Sequence, residues 1–184
     1  MIFSVIIRCK NEDQWIGHSI QSVIDILPIH TEIIIIDNNS NDDSKNIINM
    51  FINEKTNDIT LKYFNIDNYS PGKAINVGVK NCSYENIMIL SSHCVLTKIN
   101  LNKIENLLQE NVAIWGKQIP IYKGKKINRK RYIWKNFEDK DNINYYSDGE
   151  DRYFLHNALS IYKKSILEKY IKDEKLVGKE DRYW

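Results

Sequence analysis

Short apolar runs, each bounded by polar residues, recur four times in the first half of the chain. They occupy residues 2–7, 32–36, 60–64 and 86–90, and the second contains four consecutive isoleucines at 33–36. Unbroken β-branched runs of this length are typical of strands buried on both faces, as in parallel sheets. This pattern restricts the fold strongly, because a sheet buried on both faces needs helices on either side.

The segments between these runs have helical periodicity. The first stripe ends at Pro28, and its apolar positions are Trp15, Ile16, Ile20, Val23, Ile24 and Leu27. In the second stripe, Ile47, Ile48 and Phe51 follow a helix-capping cluster at 40–43. The alternation predicts an α/β fold with a Rossmann-like, mainly parallel sheet, in which ligands bind beyond the carboxyl ends of the strands.

Length and composition define the class of protein. A chain of 184 residues, 42% hydrophobic and 27% charged, suffices for one globular domain. The net charge of +2 gives no reason to expect a nucleic-acid partner. Cys9, Cys82 and Cys94 lack metal-type spacing and favour a reducing, cytoplasmic setting. The apolar start of seven residues is too short for a signal peptide or a membrane span.

The second half of the chain is less regular. Residues 123–151 begin with a basic cluster that runs from Lys123 to Arg131, and they show no clear period. We expect a mobile loop there. The apolar run at 154–162 predicts another strand, and residues 163–170 predict a helix after it.

Polar residues are concentrated directly after the first two predicted strands, at 8–12 and 37–44. Carboxylates, amides and turn backbone at adjacent strand ends can pair with a nucleobase and a ribose. The alternative interpretation is structural: Asp37, Asn39 and Ser40 would then only form a turn and cap a helix. The residues alone leave both interpretations open.

The segment 70–78 predicts the start of a helix, with Pro71 and Gly72 in the turn and Lys73 in the first helical residues. A helix start beside a lysine is a suitable neighbour for a pyrophosphate. The spacing matches neither a P-loop nor a dinucleotide fingerprint, so it does not indicate ATP or NAD.

Two further positions can carry chemistry. His93, in the segment 91–94 after the fourth strand, is a candidate metal ligand, or else an ordinary hydrogen-bonded histidine. Glu180 and Asp181 near the end are candidates for a general base, or else part of a solvated charge run.

Taken in order, these segments resemble glycosyltransferase family 2, which has the GT-A fold. Residues 4–12 resemble the family's "SVIIPTYNE" start, 32–42 its "EIIVVDDGSTD" segment, and 71–78 its "G-x-A-x-N-x-G" helix. Residues 90–95 and 116–120 are similar to "LSAHAVP" and "GRQ-x-P" of the rhamnosyltransferase-like branch, in which an SxH replaces the usual DXD motif. Glu180 and Asp181 correspond to the family's "ED" element.

The resemblance implies a single GT-A domain over residues 1–184. Residues 1–97 would form the nucleotide-sugar-binding half, and residues 98–184 a smaller, mixed acceptor-side half. Relatives continue beyond the position of Trp184, so we expect either a truncated chain or a minimal enzyme. The resemblance also implies an inverting reaction. In that reaction Asp181 is the catalytic base, with Glu180 beside it, and His93 holds manganese or magnesium. The implied nucleotide-binding residues are Arg8, Lys10, Asn11, Glu12, Asp37, Asn38, Lys73, Asn76, Ser91 and Ser92.

The implied partners are a UDP- or dTDP-sugar donor and a glycan or lipid-linked acceptor in surface polysaccharide synthesis. The basic cluster has two interpretations: a peripheral contact with the anionic inner face of the membrane or with a lipid-diphosphate acceptor, or else a solvated loop without a partner. Two departures from the family pattern leave questions open: the missing DXD leaves metal dependence undecided, and Asn38 in place of a second aspartate leaves the nucleobase undecided. The competing function is a degenerate GT-A module that binds nucleotide sugar or glycan without transfer. A nucleotidyltransferase fits less well, because residues 8–12 contain no glycine.

Overall fold

The computed structural model describes residues 1–54, 59–126, 136–137 and 140–178. The chain forms a six-stranded sheet in the order β3-β2-β1-β4-β10-β5. Its strands are β1 (Phe3–Cys9), β2 (Glu32–Asp37), β3 (Thr60–Asn65), β4 (Asn86–Ser91), β5 (Ala113–Trp115) and β10 (Leu159–Lys163). The helices are α1 (Ile16–Ile26), α2 (Ser44–Asn53), α3 (Pro71–Asn81), α4 (Leu101–Glu110) and α5 (Lys164–Lys169). Two small hairpins pair β6 (Ile121–Tyr122) with β7 (Lys125–Lys126), and β8 (Tyr146–Ser147) with β9 (Arg152–Tyr153).

The α/β prediction is confirmed, and the four predicted strands each lie within two residues of their predicted ends. Strands β1 to β4 pair in parallel, and β10 runs antiparallel between β4 and β5. The sheet is therefore mainly parallel with an antiparallel addition from the second half of the chain.

Two predictions for the second half need correction, and two of its elements have no counterpart among the predictions. The strand expected at 154–162 begins only at Leu159, because Phe154 instead packs into an aromatic cluster with Trp115 and Phe137. The loop expected at 123–151 contains β7 and β8 among its described residues. Helix α4 and strand β5 were not predicted, since their short apolar patterns do not stand out from the surrounding sequence.

The isoleucine run of β2 contributes to both faces of the sheet. Ile33 and Ile35 pack with α1 and α2 on one face, and Ile34 and Ile36 pack with α3 on the other. All four side chains are fully buried. A strand covered on both sides has no position for a polar residue in its middle, which explains why the run is unbroken.

Helix α3 lies very close to strand β1. A Cβ atom placed on Gly78 would come within 2.7 Å of the Ile6 side chain. The glycine thus permits the approach of the helix to the sheet. In the described part of the chain, no helix is both long and apolar enough to cross a membrane.

The amino end of the sheet is held by a buried carboxylate. Glu32 accepts hydrogen bonds from the Ser4 hydroxyl at 2.5 Å and from Lys62 Nζ at 2.7 Å, and also from the backbone and hydroxyl of Ser83. Burial alone would raise the pKa of Glu32, but these donors outweigh burial and lower the pKa from 4.5. Strands β1, β2 and β3 are therefore tied together at the end opposite to the predicted site.

Candidate active site

Three strand ends meet at one edge of the sheet. In the register of the sheet, Cys9 at the end of β1 lies beside Asp37 at the end of β2, and Arg8 lies beside Ser91 at the end of β4. The segments that follow these strands, 10–13, 38–44 and 92–95, therefore start at the same level. This is the edge at which parallel α/β sheets bind ligands.

The loops after β1 and β2 are joined by reciprocal hydrogen bonds. The Asn11 amide oxygen accepts from the backbone N–H of Asn41 at 2.9 Å, and the Ser40 hydroxyl accepts from the N–H of Asn11 at 2.9 Å. Lys10 Nζ donates to the carbonyl oxygens of Asn38 and Asn39, both at 2.7 Å. The two loops thus form one connected surface.

Backbone conformation explains the asparagines in these loops. Asn11 and Asn39 both have positive φ, at 51° and 49°. Asparagine tolerates this left-handed region better than most residues because its side chain can hydrogen-bond locally. The Asn39 amide donates to the Asp67 carboxylate at 2.9 Å, a contact distant in sequence that connects the loop to the segment after β3.

Asp37 organises the second loop from inside. Its carboxylate accepts from the Ser40 hydroxyl at 2.5 Å, the Ser40 N–H at 3.0 Å and the Tyr63 hydroxyl at 2.9 Å, and the residue is only 1% exposed. Burial and the hydrogen bond to Asp37 raise the pKa of Tyr63, so the phenol stays a donor. Asp37 therefore holds the loop in shape, as the turn-forming interpretation of this segment required.

His93 and Glu12 form a polar pair above the ends of β4 and β1. His93 Nδ1 lies 3.1 Å from Glu12 Oε1, and the side chains are 58% and 23% exposed. Since a carboxylate can only accept, the hydrogen bond places a proton on Nδ1 and leaves the Nε2 lone pair of the neutral ring available. A carboxylate that orients an imidazole in this way is typical of metal-binding histidines.

The chemistry of these two side chains fits a divalent cation that a diphosphate also ligates. The imidazole Nε2 is a donor that manganese accepts, with Glu12 orienting the ring, and phosphate oxygens commonly complete such sites. Among the described residues no group of three or more metal-ligating side chains exists. His93 would supply one ligand of the cation, with further ligands from substrate and water.

The cysteines at this edge are unsuited to nucleophilic chemistry. Burial and the negative charge of Asp37 raise the pKa of Cys9 to about 11, and burial raises that of Cys94 to about 11. Both thiols are therefore protonated at neutral pH and lack the thiolate that attack requires.

Helix α3 begins as predicted, but its polar residues have local partners. Ser70 caps the helix by accepting from the N–H of Lys73 at 3.1 Å, and Pro71 is the first helical residue. Lys73 Nζ donates to the carbonyl of Asp67 at 2.6 Å. Lys73 thus contacts the loop after β3 at Asp67, the residue whose side chain also binds Asn39.

Asn76 of α3 is bound to the segment after α5. Its side chain is 7% exposed and pairs with Lys172 and Glu174 of the segment after α5. This placement gives Asn76 a clear structural partner. Its contact with a nucleotide stays a prediction.

Further polar residues that the sequence did not predict, Asn157, His156 and Gln118, lie on the β10 side of Arg8. Arg8 Nη2 donates to the carbonyl of Asn157 at 3.5 Å, and the Asn157 side chain accepts from the hydroxyls of Ser160 and Tyr162. His156 Nδ1 lies 2.8 Å from Gln118 Nε2. Because β10 runs antiparallel to β4, the residues just before β10 lie at the carboxyl end of β4. The sequence does not show the direction of β10, so it could not place His156 and Asn157 at this edge.

The family assignment agrees with this geometry. The sequence matches the model of Glycosyl transferase family 2 over residues 4–171. The chain belongs to glycosyl transferase family 2.

Curated relatives are similar to part of this sequence. Poly-beta-1,6-N-acetyl-D-glucosamine synthase of Staphylococcus epidermidis is 32% identical over 94 residues, which is 50% of this chain and 22% of that protein. An uncharacterized glycosyltransferase of Rickettsia conorii is 32% identical over 113 residues, 61% of this chain and 18% of its own length. The chain thus spans about a fifth of the length of these relatives.

Solved structures share the fold over nearly the whole chain. S. aureus TarS in complex with UDP-GlcNAc has a TM-score of 0.70 and 19% identity, covering 98% of this chain and 51% of that chain. The mannosyltransferase PcManGT from Pyrobaculum calidifontis, in complex with GDP-Man and Mn²⁺, has a TM-score of 0.66 and 15% identity, covering 95% and 48%. At these identities the likeness shows the GT-A fold, a mainly parallel sheet flanked by helices.

The structure gathers most, but not all, of the predicted family 2 site. The predicted site residues that lie near the edge formed by β1, β2 and β4 are Arg8, Lys10, Asn11, Glu12, Asp37, Asn38, Ser91, Ser92 and His93. Ser92 is buried, with 2% exposure. Glu180 and Asp181 lie outside the described residues, and their catalytic role stays a prediction, as do the ligand contacts of the other residues.

Proposed function

We propose that this family 2 glycosyltransferase moves a sugar from a nucleoside-diphosphate donor, UDP- or dTDP-linked, to a hydroxyl of a glycan or lipid-linked acceptor, with inversion at the anomeric carbon. The observation that carries the proposal is the His93–Glu12 pair beside the joined loops after β1 and β2. A partial cation site next to a polar surface suits a ligand with a diphosphate at one end and a nucleoside at the other.

The chemistry of the relatives supports the same donor class. TarS is in complex with UDP-GlcNAc, and PcManGT with GDP-Man and Mn²⁺. The name of the S. epidermidis relative specifies synthesis of an N-acetylglucosamine polymer. For this chain we propose surface polysaccharide synthesis at the inner face of the membrane, and a place in the rhamnosyltransferase-like branch on the motif at 90–95.

The nucleoside would lie on the surface formed by the loops after β1 and β2. Lys10 and Asn11 hold that surface together, and Asn38 is its half-buried member next to the end of β2. We expect Arg8 and Ser91 to line the path from this surface toward the acceptor; Arg8 donates to the Asn157 carbonyl, and Ser92, next to Ser91, is buried.

The proposed reaction needs one base and one means of accepting charge on the leaving group. Asp181 removes the proton from the acceptor hydroxyl, the oxygen forms a bond with the anomeric carbon, and the bond to the diphosphate breaks. A divalent cation, when bound, would neutralise charge on the departing diphosphate. His93 would hold it through Nε2 with Glu12 orienting the ring, and Lys73 would supply a further positive charge.

Calorimetry and thermal shift with UDP, dTDP, GDP and CMP, each with and without manganese, test the donor class. We expect one nucleoside diphosphate to bind selectively and more tightly with manganese. Absence of binding to all four would contradict the proposal.

Asp181→Asn tests the catalytic step. Removing a general base typically lowers the rate by a factor of about 10² to 10⁴ while leaving donor binding intact. The matched control is Asp173→Asn, an exposed carboxylate near the same end of the chain, which should retain transfer. Binding of donor without transfer in the unaltered protein, across several acceptors, would instead support the degenerate module.

A further inference from the structure

The short hairpin formed by β6 and β7 combines exposed apolar residues with a concentrated positive charge. Ile121 and Tyr122 are each 64% exposed, and Ile119 just before them is 49% exposed. Lys123, Lys125 and Lys126 complete the hairpin, and residues 121–126 are all exposed. We call residues 119–126 the basic hairpin.

The basic hairpin has a defined turn. Ile121 pairs with Lys126 and Tyr122 with Lys125, which leaves Lys123 and Gly124 as a two-residue connection. Both have positive φ, 49° and 71°, as a type I′ turn requires. The turn therefore has regular hairpin geometry, with Lys123 Nζ 5.6 Å from the centre of the Tyr122 ring.

The charge around the basic hairpin is strongly one-sided. Residues 111–137 contain eight lysines and arginines and no aspartate or glutamate. The whole chain has a net charge of +2, so the remaining residues together carry −6. Positive charge is therefore concentrated in this segment of the chain, and an anionic surface would attract it.

We propose that the basic hairpin docks this protein on an anionic lipid bilayer. Lysines alone would suit any polyanion, but exposed Ile119, Ile121 and Tyr122 would gain nothing from a phosphate polymer in water. At a bilayer, aliphatic side chains enter the boundary of the acyl region, tyrosine occupies the headgroup level, and lysines contact anionic headgroups. A membrane surface therefore uses every exposed residue of the hairpin.

Sedimentation with vesicles tests this proposal without reference to catalysis. The protein should sediment with vesicles of 70% phosphatidylcholine and 30% phosphatidylglycerol at low salt, and not with pure phosphatidylcholine vesicles. Raising the salt to several hundred millimolar should weaken the association, because the screening length falls to a few ångströms. No sedimentation with the anionic vesicles would overturn the proposal.

Two sets of substitutions separate a bilayer from a soluble polyanion. The double variant Ile121→Ser and Tyr122→Ser should lose vesicle binding at least tenfold but retain binding to soluble polyphosphate. The triple variant Lys123→Ala, Lys125→Ala and Lys126→Ala should weaken both, by about fivefold per lysine for the vesicles.

The matched control is Ile29→Ser, which replaces an isoleucine of similar exposure, 61%, near the amino end of β2. It should bind vesicles like the unaltered protein. If the double variant at 121 and 122 also binds vesicles like the unaltered protein, the surface recognises charge alone and the proposal is wrong.

Discussion

Asn76 of α3 and Lys172 of the segment after α5 exchange two hydrogen bonds. The Asn76 amide donates to the Lys172 carbonyl at 2.9 Å, and the Lys172 N–H donates to the Asn76 amide oxygen at 3.1 Å. One turn earlier, a side chain on Gly72 would overlap the carbonyl oxygen of Asp173. Gly72 therefore leaves room for the segment after α5, and Asn76 binds it. This segment precedes the predicted catalytic residues, Glu180 and Asp181.

We expect Asn76→Ala to release this segment from α3. The two backbone groups of Lys172 lose their partners, which costs about 1–3 kcal/mol when such groups stay buried. Hydrogen exchange should show faster exchange of the Lys172 amide, whether or not nucleotide affinity also falls. A large loss of nucleotide affinity with unchanged exchange would instead support the predicted nucleotide contact.

Asn76→Asp should be no better than Asn76→Ala at neutral pH. The new carboxylate keeps an acceptor for the Lys172 N–H but cannot donate to the Lys172 carbonyl. It would also be repelled by the Glu174 carboxylate, which in the unaltered protein lies 2.9 Å from the Asn76 amide nitrogen. Urea unfolding of the two variants side by side measures this difference. Full stability of Asn76→Asp would contradict the hydrogen-bond donor role.

The His93–Glu12 pair predicts a specific pattern of metal dependence. His93→Ala should remove most of the gain in nucleotide affinity that manganese provides, while affinity without metal stays unchanged. Glu12→Gln retains an acceptor for Nδ1–H but loses the charge, so we expect a smaller loss, about 10-fold in metal affinity. Calorimetric titration of nucleotide at several manganese concentrations measures both.

The control for the metal experiment is His18→Ala. His18 is an exposed histidine on α1 whose ring lies 6.4 Å from that of Trp15, so its removal should leave manganese dependence intact. Equal manganese dependence in His93→Ala and in the unaltered protein would show that the cation binds elsewhere or is not needed.

Glu32 predicts how stability changes in acid. Its pKa is lowered from 4.5 in the folded chain, so its contribution is complete above about pH 4.5 and is lost as pH falls through the lower folded value. Glu32→Gln should destabilise the protein at pH 7, and the difference from the unaltered protein should shrink below pH 4.5. Urea unfolding between pH 3 and pH 7 tests this, and a constant difference would contradict it.

Gly78→Ala should destabilise the fold because the new methyl group meets the Ile6 side chain at 2.7 Å. Overpacking of this kind costs about 1–3 kcal/mol. Gly149→Ala is the matched control, because nothing lies within 4 Å of a Cβ there, and its effect should stay within about 0.5 kcal/mol. Chemical unfolding of the two variants checks the comparison.

Periodicity was sufficient to predict the first half of the fold. The isoleucines at 33–36 and the stripe that ends before Pro28 are local patterns, and each has one regular structure that buries its apolar residues. The second half has fewer such patterns, because its strands are short: β10 has five residues, and β5, β6 and β7 have two or three. Their positions depend on partners distant in the chain.

The fold class, the family motifs and the edge of the sheet where a ligand would bind can be predicted from short-range order along the chain. The partner of each polar group depends instead on the tertiary fold. It turned Asp37 inward, directed Asn76 toward Lys172, and paired His93 with Glu12 from 81 residues away. The physical reason is that a side chain's hydrogen bonds are chosen among whatever groups folding brings within about 3 Å, and sequence spacing does not encode that choice.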